Sequence, residues 1–93
     1  MITQVAEGSG SVVPGDGLVR ALVTAIATLE DLVSVGQDSN LALSTLEDIA
    51  HELGSLEPAE GRRFVAALER LAVAEPERAA WIRGLPEALC LDL

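Results

Sequence analysis

Apolar residues between Leu18 and Val35 recur at two interleaved helical spacings. Leu18, Leu22, Ala25, Leu29 and Leu32 form one stripe, and Val19, Val23, Ile26 and Val33 the adjoining one. Only a narrow strip of Arg20, Thr24, Thr28 and Asp31 is polar. The spacing predicts a helix over 18–35. A helix apolar nearly all round is usually buried on several sides. This one is therefore expected at the centre, with the later helices wrapped on it. The alternative is that the second stripe faces another protein molecule.

Start and stop residues divide the rest of the chain. Residues 1–17 contain Gly8, Gly10, Pro14, Gly15 and Gly17 without periodicity, and are expected to form a flexible arm. Asp16 is expected to cap the first helix, and Gly36 to end it. A second helix follows, ending at Gly54. It is capped either by Ser39 or by a capping box of Ser44 and Glu47, with Leu43, Leu46, Ile49, Ala50 and Leu53 inward. Pro58 suits the first position of a third helix, which runs to about Ala74. Phe64, Leu68 and Leu71 face inward there, supported by Val65, Ala67 and Ala72. Glu75-Pro76 starts a short fourth helix through Arg83, anchored by Trp81 and Ile82. One last turn follows over 85–89, with Leu89 and Leu91 folding back. No strand-like alternation is present. The fold class is all-α: a small antiparallel bundle of three main helices plus a short fourth. The domain occupies 18–93 behind the arm at 1–17.

Charge narrows the function. The 93 residues carry a net charge of −9, with no Lys. Residues 1–60 hold ten acids and one base, Arg20, giving −9; residues 61–93 hold five of each, giving 0. Such a field repels nucleic-acid phosphate and anionic lipid and attracts basic partners. No direct nucleic-acid contact and no membrane contact are expected. The first helix is too short and too charged to span a bilayer. The start of the chain shows no secretory signal, and a lone Cys90 suits a reducing compartment, so a cytoplasmic protein is expected.

Candidate chemistry is sparse. His51, the one histidine, follows Asp48 and Glu47 on the second helix, and is read as a surface histidine paired with Glu47 and not as a metal ligand. No metal and no cofactor are expected. With one His, no Lys and no Tyr, general acid–base work would fall to carboxylates alone, and no catalytic residue is assigned. Arg62 and Arg63 lie early in the third helix, where positive charge opposes the helix dipole, and are expected to pair with Glu57 and Glu60. Asp38-Ser39, opening the second helix of an acidic helical domain, resembles an acyl carrier protein, which implies Ser39 as an attachment site for phosphopantetheine. Asn40 departs from the apolar residue that usually follows, and the long loop before that motif is missing.

A second resemblance covers about half the chain. The residues Leu46-Glu47-Asp48-Ile49-Ala50-His51-Glu52-Leu53, then Leu56-Glu57-Pro58-Ala59-Glu60, then Phe64, Leu68 and Leu71, then Trp81-Ile82-Arg83-Gly84-Leu85-Pro86, resemble small helical bacterial proteins of toxin–immunity neighbourhoods. Glu57-Pro58 departs from the commoner Ser-Pro start, and Cys90 stands where a Gly is expected. The resemblance implies an inhibitor that works by binding a basic protein. Its contact face is expected to be led by Glu47, Asp48, His51 and Glu52, extended by Glu30 and Asp31. The alternatives are a self-associating scaffold, with a homodimer through the first helix, and the carrier protein.

Overall fold

The computed structural model describes residues 13–91; of the expected arm over 1–17, residues 1–12 lie outside them, and Asp16 and Gly17 belong to the first helix. Most of the described residues are helical, with no strand among them. Helix α1 spans Asp16–Val35, α2 Ser39–Gly54 and α3 Pro58–Ala74. A 3-10 turn at Pro76–Arg78 leads into α4, Ala79–Arg83, and α5, Leu85–Ala88. No described helix is long and apolar enough to cross a membrane.

The breaks between helices follow the glycines and prolines. Gly36 takes the left-handed conformation, φ 75°, that closes α1, and its amide donates back to Leu32 and Val33. Pro58 holds the first position of α3, where a missing amide leaves no partner unsatisfied. The expected side-chain caps do not form. Asp16 lies inside the first turn of α1 behind Gly15, and its carboxylate reaches Arg70 instead. Asp38, not Ser39, holds the cap position of α2, in a left-handed conformation with φ 51°, and makes no side-chain cap bond. The cause is the connection, only Gly36, Gln37 and Asp38. It turns so tightly that Ser39 is already helical, and Ser44 falls inside the helix.

The core sits on α3, not on α1. Helix α3 buries Gly61, Phe64, Ala67, Leu68, Leu71 and Ala72, whereas α1 buries only Val23 and Ile26. Leu53 joins them from α2, and Ile82, Leu85 and Leu89 close the core from the C-terminal segment. Leu91 packs at its edge, so Leu89 and Leu91 fold back as expected. Within the expected inward sets, Leu43 and Val65 are exposed. Helix α1 packs most extensively on α2 and less on α3. Its girth is therefore not enclosed: Leu18 remains 79% and Val35 69% exposed. The short elements that follow do not supply enough surface to cover it.

Ion pairs brace this arrangement. Asp16 accepts two hydrogen bonds from Arg70, at 2.8 and 2.9 Å, joining the start of α1 to α3. Glu69 accepts two from Arg83, at 2.8 and 2.7 Å, joining α3 to α4. The Arg70 hydrogen bonds hold the Asp16 carboxyl below its ordinary value, against an opposing effect of burial. Arg83 does the same for Glu69. Both carboxyls therefore bind protons less readily folded than unfolded. Their stabilisation is present above the unfolded carboxylate pKa and is lost as pH falls through the lowered folded value. Asp16→Asn should be less stable than the parent at neutral pH, and the two should converge at acid pH. Urea midpoints compared at both ends test this; a constant gap would contradict it.

Candidate functional site

Clefts mark the surface of the described residues. One, of about 570 Å³, lies between the start of α1 and the second half of α3, beside the Asp16–Arg70 pair. A second, about 310 Å³, lies on the other side of that pair, among Leu18, Leu53, Leu56 and Phe64. A third, about 260 Å³, is an open groove between α1 and α2. Leu22, Thr45, Asp48, Ile49, Glu52 and Leu53 line it. Its exposed lining is wholly apolar, so Asp48 and Glu52 contribute their stems and keep their carboxylates at the rim.

The helix period sorts the expected contact residues. On α2, Leu46, Ile49 and Leu53 turn toward the core. Glu47 and His51, one turn apart, lie on the opposite, exposed face, with Asp48 and Glu52 on the flank beside the groove. These four form one continuous exposed surface. His51 makes no ion pair with Glu47 among the described residues. Asp31 is exposed on α1. Glu30 differs: it is half-buried, and accepts a hydrogen bond from the Trp81 indole N–H at 2.9 Å. Trp81 is itself half-buried, with its ring against the core and the Arg78 guanidinium 5.5 Å above it. Arg78 is in turn bonded to Glu75 at 2.8 Å. Glu30 thus serves as the link from α1 to α4, and no sequence spacing reveals a partner as distant as position 81.

The arginines divide in two. Arg70, Arg78 and Arg83 are held by carboxylates of the chain itself. Arg62 and Arg63 are exposed, and the expected pairs with Glu57 and Glu60 are not formed among the described residues. The carboxylates of α2 have no arginine on them either, among the described residues. Internal neutralisation is confined to the start of α1 and to the α3–α4 region, and the acidic face of α2 is left to solvent.

The remaining reactive groups are dispersed. Ser39 is half-buried at the start of α2, and Cys90 is exposed just after α5 with φ 58°. Among the described residues no three His, Cys, Asp or Glu side chains are grouped as a metal site would require. Comparison with known proteins finds no family model, no curated protein and no solved structure that matches the chain.

Proposed function

We propose that this chain is a non-enzymatic protein-binding module, an immunity-type inhibitor that holds a basic protein against the acidic face of α2. The observation that carries this reading is the segregation of charge. Arg70, Arg78 and Arg83 are consumed by internal pairs, while Glu47, Asp48 and Glu52 stand exposed on one helix with no internal cation among the described residues. Exposed like charges on a rigid helix speed the encounter with an oppositely charged surface. They cost the free protein little, because water solvates them. His51 extends this face. Asp31 is exposed on the side of α1 opposite Leu22, and Glu30 ties α1 to α4 through Trp81, so neither belongs to it.

The test is a pull-down from native lysate at low and high salt, with Glu47→Lys, Asp48→Lys and Glu52→Lys combined in one variant. The parent should retain one basic protein, more weakly at high salt. The variant should associate at least about tenfold more slowly while keeping its helical circular dichroism. A partner retained equally by both proteins would refute the acidic-face reading.

A further inference from the structure

We propose that the groove between α1 and α2 seats one amphipathic helix of the basic partner, laid along α1 with its apolar face down and its Lys or Arg side chains against Asp48 and Glu52. This rests on the function proposed above and specifies how the partner is held.

Helix α1 is apolar on two sides, and the core uses one. Val23 and Ile26 belong to the core, and Val19 and Leu22 pack against it, Leu22 from the border between the two sides. Leu18, Leu22, Ala25, Leu29 and Leu32 make the second stripe; Leu18 and Ala25 are exposed, and the other three are half-buried. On α2, Leu41, Thr45, Asp48 and Glu52 follow one another at helical spacing, and Leu41 is 69% exposed. Leu22 shares the groove with Thr45, Asp48 and Glu52, which sets the two stripes side by side. The result is an apolar floor with a wall that carries carboxylates. Leu22 lies in the groove and Leu18 in the neighbouring cleft; the stripe that carries them, from Leu18 to Leu32, runs about 21 Å along α1, the length of a helix of roughly 14 residues. Exposed apolar residues such as Leu18 and Leu41 beside an apolar groove mark an interaction site, and a helix laid in a groove fits its shape.

Charge selects the occupant. Asp48 and Glu52 are the only charged residues lining the groove among the described residues. At its Leu18 end the neighbouring cleft carries Glu60 and Arg63, and an Arg70 already held by Asp16. A second copy of the chain has a net charge of −9 and would bring the same carboxylates to the contact. A basic amphipathic helix satisfies both the floor and the wall.

The experiment titrates the full chain with three synthetic peptides of 14 residues, read by calorimetry and by amide shifts. One has leucines at helical period among lysines, one has the same composition in strict alternation, and one has lysine only. The helical-period peptide should bind at least about tenfold more tightly than either control, since it alone buries leucines in register. Its amide shifts should centre on Leu18, Leu22, Leu29 and Leu41. Leu18→Glu combined with Leu41→Glu should abolish the advantage. Both side chains are exposed, so the fold is retained, and the added carboxylates would strengthen a purely electrostatic contact. Equal affinity for the three peptides would overturn the groove. If that equal binding is lost when Glu47, Asp48 and Glu52 are reversed, the acidic-face function survives without it; no binding of any peptide would remove both. A dimer of the free chain that the double variant dissolves would assign the groove to a second copy and overturn the proposal.

Discussion

Replacing Phe64 by alanine is expected to cost about 3–5 kcal/mol of folding stability. Phe64 is the only Phe in the chain, and sits on the buried face of α3. Its companions in the core are aliphatic: Val23, Ile26, Leu53, Leu68, Leu71, Ile82, Leu85 and Leu89. Branched side chains on helices cannot turn into a ring-sized void without leaving their rotamer wells, so the cavity stays largely open. A domain of this size has a total stability of roughly 5–15 kcal/mol, so the loss is a large part of the whole. The adjacent residue supplies the control. Val65 is 37% exposed, and Val65→Ala should cost less than about 1.5 kcal/mol. Urea titrations of the two variants beside the parent decide the matter. Equal losses at 64 and 65 would mean that the buried face of α3 is not the one described.

The contrast between positions 64 and 65 shows what the sequence can carry. The helices are legible because Gly36, Pro58 and Pro76 act on the backbone next to them, and a local cause has a local signature. Most of the inward set of α3 is legible for the same reason: Phe64, Leu68 and Leu71 fall on one face and Glu60, Arg62, Arg63 and Glu69 off it, while the exposed Val65 and Val73 give no such signal. Helix α1 is a different case. Its two apolar stripes say that much of its circumference can be buried, and nothing in them says which stripe another element will reach. The choice is made by the supply of covering surface, which is a property of the whole chain. The acidic face of α2 is legible from spacing alone, since Glu47, Asp48, His51 and Glu52 are close in sequence. The role of Glu30 is not, because its partner Trp81 lies far along the chain. The same holds for Asp16 and Arg70. Only Arg78 and Glu75, three residues apart, form a pair that helical spacing predicts.

The second large effect is expected at Ile82. Helices α4 and α5 hold five and four residues. Isolated helices this short do not persist in water, because nucleation costs more than so few hydrogen bonds return. Their structure must therefore be maintained by burial. Ile82 and Leu85 are the side chains that supply it, at 0% and 1% exposure. Ile82→Ala should cost about 2–5 kcal/mol, and the chain contains its own reporter. Trp81 is the only tryptophan and the next residue along, and it binds Glu30 of α1 through its indole N–H. Its emission therefore reports whether α4 is docked, while circular dichroism reports α1, α2 and α3. In the variant both signals should move to lower urea and still coincide. The C-terminal segment closes the core against Phe64, Leu68 and Leu71, so these residues lose their cover when it leaves. A tryptophan transition that ran ahead of the loss of helicity would show that the segment undocks alone, leaving a three-helix remainder with its own stability. The arrangement of the core argues for coincidence. Val23 and Ile26 of α1 belong to the same buried cluster as Ile82 and Leu85, and neither half of that cluster has a second surface against which to pack.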